Sequence, residues 1–194
     1  MSTFFIILSS LLALTSASIY VRAIINGQAK PHRTTRIVIL LFTILATASL
    51  VAKHDTVAVW LAAVSTLQAI TIFTISLKYG IGGWAKIDIC CLFIAIIGIF
   101  FWKTTQNPNY ALFSAITADF VGMIPTLIKA HRFPDTEIWL FWLIDTFTGL
   151  FSLFAVRSWN FSQFVYPLYI ALVNFSVFLL IIKRGKLSRP TIQL

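Results

Sequence analysis

Residues 164–182 read FVYPLYIALVNFSVFLLII, with no acid, lysine or arginine, and Lys183-Arg184 follow directly. At 1.5 Å per residue a helix of this length covers about 28 Å, close to the ~30 Å hydrocarbon core of a bilayer. Lipid offers no water to the backbone, so a crossing segment must bond its own N–H and C=O groups, and a helix does so. The run is therefore read as a transmembrane helix ending at a basic, water-facing boundary.

Six further apolar runs lie upstream, at 138–156, 110–128, 87–102, 56–77, 37–52 and 4–25. The connectors carry turn formers: Asn26-Gly27 through Lys30-Pro31, Gly80 with Gly82-Gly83, and Asn107-Pro108-Asn109. Runs 37–52 and 87–102 are short for a crossing and are expected to extend into their flanks. With 59% hydrophobic and 11% charged residues among 194, too little charge remains to cover a water-soluble domain. Phe4 to Leu14 followed by Thr15-Ser16-Ala17-Ser18 has the outline of a signal peptide. No basic residue precedes it, however, and apolar residues continue to Ile25, so it is read as a retained first helix. The expected fold is an all-α integral membrane protein with seven transmembrane helices.

Charge placement sets the expected orientation. With the N-terminus outside the cell membrane and the C-terminus cytoplasmic, only Lys53, Lys103 and Arg157 of the 15 basic residues face outward. Arg22, Lys30, Arg33, Arg36, Lys78, Lys86, Lys129 and Arg132 fall on the cytoplasmic side with the basic tail. The net charge of +9 is thus read as topology plus attraction to anionic headgroups, worth about 1 kcal/mol per basic residue near the surface, with no nucleic-acid partner. Cys90 and Cys91 are adjacent in an apolar run and are read as packing residues. His32, His54 and His131 sit in connectors without paired ligand spacing and are read as solvated. Neither a metal nor a cofactor is expected.

The first and last thirds share an outline. In each, a helix ends in basic residues, and a loop with proline, a His-Arg pair and threonine leads to the next helix. A third helix then ends in lysine. The loops are Lys30-Pro31-His32-Arg33-Thr34 and His131-Arg132-Phe133-Pro134-Asp135-Thr136; the third helices end at Lys78-Tyr79-Gly80 and Lys183-Arg184-Gly185. A middle helix that returns the chain to the outside lets the second unit run parallel to the first. The expected organisation is a three-helix repeat over 1–80, a linker helix over 81–106, a second three-helix repeat over 107–185, and a basic tail over 186–194. Parallel repeats are a transporter device, with the solute site at mid-depth between them.

This plan resembles the SWEET sugar transporters and the wider PQ-loop superfamily, most closely over residues 117–184. Gly122-Met123-Ile124-Pro125-Thr126-Leu127-Ile128-Lys129 is similar to that family's proline-glutamine box, although threonine stands where the glutamine would be. Thr136 falls near the hydroxyl residue that opens the next helix in the family. Trp159, Pro167 and Asn174 are similar to its tryptophan, proline and substrate-contacting asparagine. The resemblance implies two parallel three-helix bundles joined by a linker helix, and alternating access for a small solute.

Acids in hydrocarbon are costly, by about 3 kcal/mol or more, and Asp119 and Asp145 are the two such cases. Helical rise places Asp119 about 14 Å, Asn174 about 15 Å, Gln68 about 18 Å and Asp145 about 20 Å from the outer boundary. All four share one mid-membrane layer. Trp142, Asp145, Gly149 and Ser152 fall on one helical stripe, as do Gln163, Pro167, Ile170 and Asn174. Substrate binding is expected from Asp145, Asn174, Asp119, Gln68, Trp142 and Trp159, with Pro125 and Pro167 as hinges and a buried aspartate available to carry a proton. The expected function is transport of a small polar solute by rocking of the two bundles, a homo-oligomer being compatible with it. The alternative is a non-transporting receptor or assembly factor on the same plan. A retinal protein needs a buried lysine in the last span, which has none. No nucleophile or metal motif marks an enzyme.

Overall fold

The structure is a computed structural model and describes residues 2–52, 54, 58–82, 86–105, 108–156 and 161–188. Among these residues, the chain forms seven α-helices. They are α1 (Ser2–Ile25), α2 (Arg33–Ala52), α3 (Ala58–Tyr79), α4 (Lys86–Thr105), α5 (Pro108–Arg132), α6 (Trp139–Ala155) and α7 (Phe161–Ser188), with a 3-10 turn at Pro134–Thr136. Each expected span coincides with one helix. The two short runs lengthen as anticipated, α2 and α4 each reaching 20 residues. Five helices (α1, α2, α3, α5 and α7) are long and apolar enough to cross a membrane, and α6 is a shorter apolar helix of 17 residues. Phe4, Trp60, Phe93, Phe100 and Phe154 lie on the outer surface, each more than half exposed. Contiguous apolar surface of this kind needs lipid as its solvent. The chain has the build of a multi-pass helical membrane protein.

Six helices close into a ring in which neighbours in space are not neighbours in sequence. Going round, α1 packs on α3, α3 on α2, α2 on α5, α5 on α7, α7 on α6 and α6 on α1. Helix α4 lies outside this ring against α5, with a lighter contact to α2. Two apolar clusters fill the ring at opposite ends. One contains Tyr20, Ile24, Ala130, Phe141 and Ile181; the other contains Leu50, Leu61, Leu112 and Tyr166.

Two close crossings hold the ring without polar bonds. A Cβ on Gly149 of α6 would meet the backbone nitrogen of Ala171 at 2.6 Å and the Pro167 carbonyl at 2.9 Å, so glycine lets α6 and α7 approach to backbone contact. On Gly122 of α5 a Cβ would meet Val38 Cγ1 of α2 at 2.3 Å. Helices α5 and α7 both run on through Pro125 and Pro167, the expected hinges.

The connector after α1 closes as its Asn26-Gly27 suggests. Gly27 has φ +71, its N–H bonds Ile24 O, and Gln28 N–H bonds Ala23 O at 2.8 Å, the paired bonds of a Schellman stop. The same connector is then tied to two others. Ile81 N–H bonds Pro31 O at 2.9 Å, Arg33 N–H bonds Ile81 O at 3.0 Å, and Lys30 N–H bonds Thr136 O at 3.1 Å. His32 is half-buried here and not simply solvated, because its ring lies against Gly82, where a Cβ would fall 2.3 Å from Nε2.

Candidate functional site

A cavity of about 70 Å³ lies inside the ring between the two apolar clusters. Arg36 and Thr43 of α2, Gln68 of α3, Asp119 of α5, Trp142 and Asp145 of α6, and Asn174 of α7 all line it. Five of the six expected binding residues thus share one wall-to-wall space; Trp159 lies outside the described residues. The convergence is clearest on α6, whose polar and small residues share one face. Trp142, Asp145, Gly149 and Ser152 all face inward and are buried, as their three- and four-residue spacing requires.

The two acids are held differently. Both oxygens of Asp145 have a donor: Ser16 Oγ of α1 donates to Oδ1, and Gln68 Nε2 of α3 donates to Oδ2 at 3.1 Å. Gln68 Nε2 also reaches Ser16 Oγ at 3.2 Å, so three helices meet on this carboxylate. Asp119 receives the hydroxyl of Tyr169 on Oδ2 and keeps Oδ1 buried and without a partner. The carboxylate oxygen left without a partner beside the cavity therefore belongs to Asp119. Asn174 spends one amide hydrogen on its own helix, donating to Ile170 O at 2.7 Å.

Arg36 is the principal residue that the sequence reading missed. Counted among the cytoplasmic charges, it is 4% exposed and turned into the cavity. Its guanidinium carbon lies 4.8 Å from the ring centre of Tyr20, 5.6 Å from Trp142 and 5.7 Å from Phe141. Aromatic rings at this range attract the guanidinium charge without accepting its hydrogen bonds. Two of its nitrogens, Nε and Nη2, have no partner. It also sits in the first turn of α2, where the helix dipole disfavours a positive charge. The signal that could have found it is a polar stripe, Arg36, Thr43 and Thr47, at seven- and four-residue steps along one face of α2.

Beside the aromatic cage, Glu137 is buried just ahead of α6 and accepts from Tyr20 Oη at 2.9 Å and Trp142 Nε1 at 3.1 Å. It also forms an ion pair with Lys129 near the end of α5. Lys129 bonds the carbonyl of Lys30 as well, so one ammonium joins α5, the α1–α2 connector and the start of α6. Arg36 therefore has no carboxylate within ion-pair distance, although Asp119 and Asp145 line the same cavity. Among the described residues no group of His, Cys, Asp or Glu is arranged to hold a metal ion. No protein-family model, no curated protein and no solved structure matches the chain.

Proposed function

We propose that the protein is a membrane carrier that moves a small polar solute by alternating access between two three-helix bundles. One observation carries this: a cavity inside the lipid-facing ring is lined by Arg36 and Gln68 from the first third of the chain and by Asp119, Asp145 and Asn174 from the last. Ionisable groups gathered inside a bundle of spanning helices mark a solute or ion pathway far more often than a packing device.

The packing order supports the bundle assignment. In the first third α3 lies between α1 and α2, and in the last third α7 lies between α5 and α6. The contacts between the thirds are also a matched pair, α1 with α6 and α2 with α5. This is what two like-oriented repeats about an axis along the membrane normal produce, with α4 as the connecting span, and it is the plan that the SWEET resemblance implies. Residues 1–80 and 107–185 are then the moving bodies and the apolar clusters at the two ends are the gates. Each opens in turn as α1 slides on α6 and α5 on α2. The N-terminus lies outside the cell membrane and the basic tail inside. Asp119 and Asp145 are the groups available for proton coupling.

The test is solute flux in proteoliposomes. Counterflow of pooled radiolabelled amino acids, nucleosides and sugars is expected for the native chain, with at least tenfold slower flux in Asp119→Asn and Asn174→Ala. Native flux rates in both variants, or binding of a solute with no flux, would remove the carrier reading.

A further inference from the structure

We propose that Arg36 makes this cavity a carboxylate site, and that the solute is a small zwitterion whose ammonium end reaches Asp119. The inference rests on the carrier reading only for the word solute; the binding chemistry stands on the cavity itself. The two unpaired nitrogens of Arg36 are not an arbitrary pair. Nε–H and the Nη2–H on the same side form one edge of the planar guanidinium, the edge that takes a carboxylate by two parallel hydrogen bonds. Tyr20, Phe141 and Trp142 crowd the guanidinium on several sides, which limits its freedom to move.

An arginine whose fork is buried and unmet is expensive, and the ring contains carboxylates that could have met it. Instead Glu137 is taken up by Lys129, Tyr20 and Trp142, and Asp145 by Ser16 and Gln68. Asp119 alone keeps an oxygen free. Two residues of opposite sign therefore line the same cavity, each with buried polar atoms that no group of the protein meets. A molecule with both a carboxylate and an ammonium completes both. Inorganic phosphate fits the fork but would bring extra negative charge beside Asp119 and Asp145. A neutral sugar would leave the guanidinium charge uncompensated.

The experiment is a thermal-shift titration of the full chain in a neutral maltoside detergent. The probes are millimolar glycine, alanine, serine and leucine, then propionate, ethanolamine, inorganic phosphate, glucose and phosphatidylglycerol. An amino acid is expected to stabilise the native chain more than propionate or ethanolamine of similar size, with no shift from glucose. Arg36→Lys keeps the charge but loses the planar fork, and should weaken amino-acid binding at least tenfold, or ~1.4 kcal/mol. Asp119→Asn should bring the amino acid down to the affinity of propionate, whose own binding it should not weaken. A shift from glucose, phosphate or phosphatidylglycerol that exceeds the amino acids overturns the proposal, as does full amino-acid affinity in Arg36→Lys. Sugar flux without amino-acid binding would sink this inference and leave the carrier standing; amino-acid binding without flux would do the reverse.

Discussion

Lys129 and Glu137 form a buried pair whose worth can be measured by a double-mutant cycle. Both side chains are almost fully covered, at 6% and 0% exposure, and Glu137 also accepts from Tyr20 and Trp142. Lys129→Met leaves the carboxylate with two neutral donors and no counter-charge. Glu137→Gln leaves the ammonium with the Lys30 carbonyl and an amide. Removing one partner of a buried pair costs about 3–5 kcal/mol, because the other charge stays behind. The double variant Lys129→Met/Glu137→Gln removes both charges, and the amide oxygen of glutamine still accepts from Tyr20 and Trp142. Its cost should fall to about 1 kcal/mol, that of a weakened neutral hydrogen bond. For a chain of this size 3 kcal/mol corresponds to a fall in melting temperature of about 6–12 °C. Tryptophan fluorescence during heating in detergent micelles reads it. If the double variant melts at the sum of the two single losses, within about 0.5 kcal/mol, the residues do not compensate each other and the reasoning is wrong.

Two other outcomes follow from the packing and one from the expected topology. Gly122→Ala should destabilise the fold by about 1–3 kcal/mol by pressing on Val38, and Val38→Ala in the same chain should recover only a minor part of that loss, because the Val38 Cβ that alanine keeps lies 2.6 Å from the added carbon, both read by melting temperature. Gly149→Ala should cost at least as much and resist rescue by any side-chain change, since the atoms it meets are the backbone of Ala171 and Pro167. In a chain with Cys90 and Cys91 replaced by serine, Gln28→Cys should be labelled by an impermeant maleimide only from the cytoplasmic side of membrane vesicles. His54→Cys should be labelled only from outside, and the opposite pattern would invert the topology.

The helices were legible in the sequence because the bilayer imposes one length and one backbone solution, so apolar runs and turn residues leave little freedom. Gln68, Asp119, Asp145 and Asn174 could be levelled against each other by counting helical rise, and all four line the cavity. Arg36 escaped because a basic residue near a span boundary has an ordinary explanation in topology, and only its neighbours show that this one points inward. Ser16, Tyr20 and Tyr169 escaped for a different reason: hydroxyls are common in membrane helices, and nothing local marks which of them will face an acid 50 or more residues away. Glu137, the one glutamate among six acids, lies in a connector, where water is the default expectation.

The connector joint at residue 30 has a property of its own. Its N–H holds Thr136 O and its C=O receives the Lys129 ammonium, so both bonds belong to the main chain. Nearly any amino acid can stand at that position without loosening the seam between the two halves. Drift in the sequence there says nothing about whether the seam persists, and only a residue lacking the amide hydrogen would cut its first stitch.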